Sequence, residues 1–128
     1  MIEVFVEGEP RGWSSRPKAR RKAAPWRADV RRKLEGIPSL KGSYRVQLSF
    51  FLPSDRFQGG NSQNTQAADI DNLVKPVLDI MGRTLLADGD GAVRDLRATK
   101  QRVEGVEKAG VLITVFPDTV PEETDSER

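Results

Sequence analysis

The sequence predicts an α+β fold in which two main helices pack on a small mixed β-sheet, in the order β-α-β-α-β-β. Segments that alternate apolar and polar residues, or that are rich in β-branched residues, predict four strands, and two segments with apolar residues at helical spacing predict the helices. Glycines and prolines separate these segments. A length of 128 residues fits one domain.

A strand and a basic loop open the chain. Residues 2–7 alternate apolar and charged side chains, which predicts a strand ended by Gly8 and Pro10. Residues 11–24 contain glycine, prolines and serines without an apolar period, so we expect an exposed loop. We call residues 10–24 the basic arm.

A helix and the clearest strand follow the basic arm. Pro25 fits the first turn of a helix, and Gly36 fits its end. The apolar residues of this helix recur at every fourth position, at Trp26, Val30 and Leu34. Alternation over residues 44–52 predicts a strand that Pro53 ends.

A long polar connection leads to the second helix. Residues 53–68 have no repeat, and a connection of this length in a small domain is usually functional or mobile. Apolar residues from Leu73 to Met81 then predict a helix with Gly82 as its C-cap candidate. Pro76 is expected to disturb the first turn of this helix.

Two strands complete the predicted fold. Residues 93–103 mix β-branched and charged side chains, and residues 110–116 form a short apolar strand. We expect a hairpin through residues 104–109 to join them. The folded domain would therefore span residues 1–117, and we expect the acidic tail, residues 118–128, to be disordered.

The composition narrows the possible chemistry. The chain has no cysteine and no histidine, which excludes disulfides, thiolate zinc sites, thiol nucleophiles and imidazole bases. A bound metal would have oxygen ligands, which favours Mg²⁺, Mn²⁺ or Ca²⁺. The net charge of +2 hides an asymmetry, because ten Lys and Arg residues and one acid lie between Arg11 and Lys33.

The acidic residues before and within the second helix are the most informative feature. Asp69 and Asp71 are two positions apart, so in an extended lead-in their carboxylates would project to one side and could share a cation. Asp71, Lys75 and Asp79 would lie along one side of a regular helix. An aspartate before a helix is often a cap, and Asp-Gly pairs are often turns. Several carboxylates beside a lysine and a basic arm are nevertheless the components of metal-assisted phosphodiester hydrolysis.

The run Asp69–Asp79, followed by Asp90 and a strand reaching Lys100, resembles the RusA-type Holliday-junction resolvases over roughly residues 2–116. The resemblance implies three Mg²⁺-binding aspartates and one essential lysine. These catalytic residues would be Asp69, Asp71, Asp90 and Lys75. It also implies a homodimer that cuts four-way DNA junctions symmetrically.

The third acidic position has two candidates. The family's adjacent acid pair stands here as Asp88-Gly89-Asp90, so Asp88 is an alternative ligand. The spacing from Asp90 through Asp95 to Lys100 matches the family and favours Asp90. Asp79 also belongs to the family pattern and could pair with Lys75.

The basic arm is predicted to contact DNA phosphates. The predicted DNA-binding residues are Arg11, Arg16, Lys18, Arg20, Arg21, Lys22 and Lys100. Trp13 and Phe57 lie in predicted loops, where they could stack on unpaired bases or partly cover the core.

We therefore expect a Mg²⁺-dependent, structure-selective endonuclease acting on branched DNA in recombination and repair, with Mn²⁺ as a substitute ion. It would be a cytoplasmic, nucleoid-associated homodimer without membrane contact, because no apolar run approaches the roughly 18 residues of a membrane span. The alternatives are a non-catalytic nucleic-acid-binding protein and a metal-dependent nuclease acting on flaps or RNA.

Overall fold

The computed structural model describes residues 1–57 and 69–118, in which the main elements follow the predicted order. The strands are β1 (Ile2–Glu7), β2 (Tyr44–Pro53), β3 (Val93–Val103) and β4 (Gly110–Pro117). The helices are α1 (Pro17–Glu35), the short α2 (Ser54–Phe57) and α3 (Ile70–Thr84). Two 3-10 turns lie at Asp90–Ala92 and Val106–Lys108. The predicted α+β class is confirmed.

The four strands form one mixed sheet in the order β1-β4-β2-β3. β4 pairs antiparallel with both β1 and β2, whereas β3 runs parallel to β2 at the edge. The hairpin predicted between the last two strands is therefore wrong. β4 buries Val111, Ile113 and Val115 and takes an inner position, while the largely exposed, charged β3 tolerates the edge. A parallel pair needs a crossover connection, and α3 lies in the one between β2 and β3.

The hydrophobic core lies between one face of this sheet and the helices α1 and α3. The strand alternation in β2 is confirmed, because its core-facing residues are at most 1% exposed. The α1 residues predicted to face the core are also buried. These confirmed core residues are Val46, Leu48, Phe50, Leu52, Trp26, Val30 and Leu34.

The first helix begins earlier than predicted. α1 starts at Pro17, so Pro25 lies inside the helix rather than in its first turn, and the second half of the basic arm is helical. Pro17 suits the first turn, and the lysines, arginines and alanines that follow favour helix. The buried residue that precedes Trp26 is Ala23, which gives only a weak apolar signal in the sequence.

The second helix also differs at its end. α3 continues to Thr84 with Leu85 as its C-cap, so the prediction of Gly82 as the cap is wrong. Pro76 lies inside the helix, whose first turn precedes it. The backbone N–H of Leu73 donates to the carbonyl of Asp69, so the helix is established before the proline.

The fold continues slightly beyond the predicted domain boundary. The Asp118 N–H donates to the Ser43 carbonyl, and its carboxylate pairs with Arg94. The tail prediction for residues 119–128 and most of the polar connection, residues 58–68, lie outside the described residues. Among the helices of the described part, none combines the length and apolar character needed to cross a membrane.

Candidate active site

Asp69 and Asp71 flank the start of α3. Asp69 is extended (φ −80°, ψ 139°), is exposed and makes no side-chain capping hydrogen bond, so its carboxylate does not cap the helix. Asp71 is exposed in the first helical turn, and its Oδ1 accepts a hydrogen bond from the Asn72 N–H at 3.0 Å. The expectation that both residues lie in an extended lead-in is therefore wrong for Asp71. Both carboxylates remain open to solvent.

Asp88 and Asp90 differ in what they contact. The Asp88 Oδ2 accepts a hydrogen bond at 2.9 Å from the N–H of Gly42, and so ties its own turn to the loop before β2. Asp90 is exposed at the start of the 3-10 turn, after Gly89, whose φ of +80° favours glycine. The contact with Gly42 gives Asp88 a structural role and leaves Asp90 as the better ligand candidate.

Gly82 permits the close approach of Asp90 to α3. A Cβ atom at Gly82 would lie 2.7 Å from the Asp90 backbone nitrogen and 3.1 Å from its Cβ. Any larger residue at this position would push the acidic turn away from the helix. The sequence suggested a cap, and only the tertiary contact reveals that Gly82 positions Asp90.

The three predicted ligands are not gathered into one group. Gly82, against which Asp90 packs, follows Asp71 by eleven residues, about 16 Å along a helix at 1.5 Å per residue. Asp69 and Asp71 therefore lie near the first turn of α3, and Asp90 lies beside its last. Among residues 1–57 and 69–118, no three acidic side chains meet in an arrangement that could hold a metal ion. The shared three-aspartate site stays a prediction.

Lys75 lies beneath an aromatic ring of the preceding loop. Its Nζ is 4.5 Å from the centroid of the Trp13 ring, which is a cation–π distance. The Trp13 N–H donates to the Asn72 carbonyl at 2.8 Å, so the loop is fixed to the first turn of α3. Within the described part of the chain, Lys75 has no carboxylate at ion-pair distance, and the suggested pair with Asp79 is not formed.

The two loop aromatics have different environments. Trp13 is 47% exposed and lines a groove together with the buried Pro76 and Ile80, so about half of its surface is covered. Phe57 is half-buried against the core, as its interpretation as partial core cover expects. Lys100 donates to the Phe57 carbonyl at 3.1 Å and lies over the same ring. Phe57 thus contacts the C-terminal part of β3, which carries Lys100 and Arg102.

Most of the predicted DNA-binding residues are exposed. Arg11 is an exception, because it is half-buried and pairs with Glu9 at 3.4 Å. Lys100 is also half-buried. The exposed members are Arg16, Lys18, Arg20, Arg21 and Lys22. All of these except Arg16 project from α1, so a helix rather than a flexible loop presents them.

Comparison with known families explains this combination of acids and bases. A family model described as endodeoxyribonuclease RusA matches residues 8–115, which is most of the chain and includes every predicted site residue. The chain belongs to the RusA endodeoxyribonuclease family. A search of curated proteins found no match. RusA membership makes the protein a DNA-acting nuclease of the Holliday-junction resolvase type, and it favours the enzyme over a non-catalytic DNA-binding protein.

Nucleases of the RusA kind generally use a divalent metal. The carboxylates of Asp69 and Asp71 fit such an ion, because they are exposed and neither forms an ion pair within the described residues. Mg²⁺ is commonly held by one or two carboxylates together with waters and substrate phosphates. Asp90 does not fit the same coordination shell in the conformation described.

Three arginines that the sequence analysis did not select line a groove between α1 and α3. They are Arg27, Arg31 and Arg83. Arg27 follows Arg20 by seven residues and Arg31 follows Arg27 by four, so the three arginines share a helical face. A helix predicted from Pro17 instead of Pro25 would have made this stripe visible.

Proposed function

We propose that this protein is a Mg²⁺-dependent resolvase that cuts Holliday junctions and other branched DNA by paired nicks, in DNA recombination and repair. The observation that carries the proposal is the pair of exposed carboxylates, Asp69 and Asp71, at the start of the helix that carries Lys75 one turn after Asp71, in a RusA-family chain. Membership of a DNA-acting family is also the basis for proposing a cytoplasmic, nucleoid-associated location.

The chemistry assigns a different task to each group. A bound divalent ion would polarise the scissile phosphate and lower the pKa of an attacking water. Asp69 and Asp71 would hold the ion. Asp90, or Asp88 as its alternative, would become a third ligand only if the last turn of α3 approached these two acids in the DNA complex. The Lys75 ammonium would stabilise charge on the phosphate or protonate the leaving oxygen. Trp13 contacts this ammonium through its ring face, and among the described residues no carboxylate lies at ion-pair distance from it.

Cleavage of a synthetic four-way junction tests the function. We expect the purified protein to place symmetric nicks in opposing strands with Mg²⁺ or Mn²⁺ and to be inactive in EDTA. Linear duplex, flap and RNA substrates of equal length serve as competitors. Equal cleavage of the linear duplex or the RNA would contradict selectivity for branched DNA, and equal cleavage of the flap would contradict a preference for four-way junctions. Cleavage in EDTA would contradict metal dependence.

Paired nicks suit a symmetric dimer, and we propose that the open face of the sheet forms it. In the described residues no helix covers this face, which carries Phe5, Phe51, Leu112 and Phe116. Phe5 is 38% exposed, and its ring lies 6.1 Å from that of Phe51 across β4. Such an apolar cluster favours burial against another protein surface.

Charge complementarity supports a second copy of this chain as the occupant. Glu3 and Glu7 lie at the β1 edge of the open face, whereas Arg45 and Arg97 lie on the β2–β3 side. Asp95 lies between these two arginines, so the three residues together carry a net charge of +1. A two-fold axis that lies in the interface and runs parallel to the strands would bring the acidic edge of each protomer onto the basic side of the other. Opposite charges would then flank an apolar centre.

Sedimentation measures the proposed dimer. We expect a mass of twice 14.2 kDa at micromolar concentration, and we expect Phe5→Gln to raise the dimer dissociation constant at least about tenfold. Leu96→Gln is the matched control, because Leu96 is also 38% exposed but lies on the helix side of the edge strand. A wild-type monomer, or equal effects of both variants, would contradict this interface.

A further inference from the structure

A basic groove runs between α1 and α3. Arg20, Arg27 and Arg31 line it from α1, and Arg83 lines it from α3. Its volume is about 230 Å³, and the one acidic side chain among its lining residues is Asp79. Four guanidinium groups and one carboxylate give this lining a net charge of +3.

Helix geometry explains why the arginines converge. Positions 20, 27 and 31 fall within about 40° of one another around α1 at 100° per residue, next to the stripe that faces the core. On α3, Asp79 and Arg83 are four residues apart, and the buried Pro76 and Ile80 form the apolar floor. The fold itself therefore fixes the groove, because both helices are anchored in the core.

Most of the groove arginines are not neutralised by an acidic side chain of the described residues. Among the described residues, Arg20, Arg27 and Arg83 have no carboxylate at ion-pair distance, and Asp79 forms no ion pair either. Arg31 reaches Glu35 only at 4.0 Å. Arg27 is half-buried, so its side chain is held against the protein at the groove. Clustered cations of this kind attract an anion that supplies the missing negative charge.

We propose that this arginine groove binds the phosphodiester backbone of one DNA strand and leads it to the candidate active site. The proposal rests on the proposed function, because it takes branched DNA as the substrate. Trp13 connects the groove to the candidate active site, since it lines the groove and also covers Lys75. From Arg20 to Arg31, α1 spans about 16 Å, over which one B-DNA strand carries about five phosphates. A single small anion would not need a track of this length.

Junction binding in EDTA, measured by fluorescence anisotropy over a series of salt concentrations, tests the groove. The groove variant combines Arg27→Gln, Arg31→Gln and Arg83→Gln. The control variant combines Arg32→Gln, Lys33→Gln and Lys41→Gln, which removes the same charge from exposed positions outside the groove. Thermal unfolding checks that both remain folded.

We expect the groove variant to bind at least about tenfold more weakly. The plot of log affinity against log salt should become less steep, its negative slope shrinking by roughly two to three, since each phosphate contact contributes about 0.9 to its magnitude. The control should keep most of the wild-type slope. Asp79→Asn should change binding in the opposite direction and tighten it roughly twofold to fivefold, because it removes the one opposing charge.

The outcomes separate this proposal from the proposed function. If the wild type binds and cuts junctions but the groove and control variants lose equal affinity, the groove assignment is wrong while the function stands. An Asp79→Asn variant that binds more weakly would also overturn it. A wild type that neither binds nor cuts branched DNA would overturn the proposed function itself.

Discussion

Replacing Asp71 with asparagine should reduce junction cleavage by a factor on the order of 10² to 10³, the scale of losing one group that stabilises the transition state. Junction binding in EDTA should stay within about twofold, because one charge near the site contributes little to a phosphate-dominated affinity. Asparagine is nearly isosteric, and its side-chain oxygen can still accept the hydrogen bond from the Asn72 N–H. The fold should therefore be unchanged.

Two further variants sharpen this experiment. Glu104→Gln removes an exposed carboxylate that follows β3 in the chain and pairs with Lys108, and it should cut at the wild-type rate. Asp90→Asn tests the third ligand directly. If it loses cleavage as Asp71→Asn does, the last turn of α3 must approach the first-turn acids in the active complex. Undiminished cleavage by Asp71→Asn would show that the site assignment is wrong.

The secondary structure was largely predictable because burial imposes periodicity. In β2 every second residue enters the core, and in α1 the buried residues Trp26, Val30 and Leu34 repeat at four-residue steps. The start of α1 was not predictable in the same way. Its first two turns bury only Ala23, so composition rather than an apolar stripe marks them as helix.

The sheet order depends on information that single strands do not carry. The residue patterns of both β3 and β4 predict strands, and their closeness in sequence favoured a hairpin. β4 instead pairs with β1 and β2 because Val111, Ile113 and Val115 need burial next to both. The pairing of β3 with β2 then follows from the crossover through α3. Competition among strands for inner positions decided the topology.

The candidate site likewise combines residues that are close in sequence with residues that only the folded chain brings near them. Asp69, Asp71 and Lys75 are close in sequence, so helix geometry alone predicts that they are neighbours. The positions of Asp90 beside Gly82 and of Trp13 over Lys75 depend on contacts between distant segments. The arginine groove also needed both helices at their correct lengths. Sequence spacing therefore predicted which of these residues are neighbours at the start of α3, but not which residues from distant segments approach them.

Lys75→Gln should lower the single-turnover cleavage rate by about 10² at saturating protein, since glutamine can neither donate a proton nor carry positive charge. Binding should weaken by less than about tenfold, as expected for the loss of one phosphate-facing charge. Lys108→Gln is the control, because Lys108 is exposed next to β4 and far along the chain from α3. Equal rates for Lys75→Gln and the control would exclude a catalytic role for this lysine.

Trp13 provides a graded extension of the same prediction. Trp13→Leu keeps an apolar side chain but removes the ring face over the Lys75 ammonium, so cleavage should fall by roughly twofold to fivefold, corresponding to a cation–π contribution of about 0.5 to 1 kcal/mol. Trp13→Phe should retain more activity than Trp13→Leu.

In protein with ¹³C-methylated lysines, the Lys75 resonance should lose its ring-current shift in Trp13→Leu. If the resonance moves but cleavage does not, the ring contacts Lys75 without aligning it for catalysis. Since Trp13 also lines the arginine groove, a variant that weakens binding while the single-turnover rate at saturation stays unchanged would assign the ring to DNA capture instead.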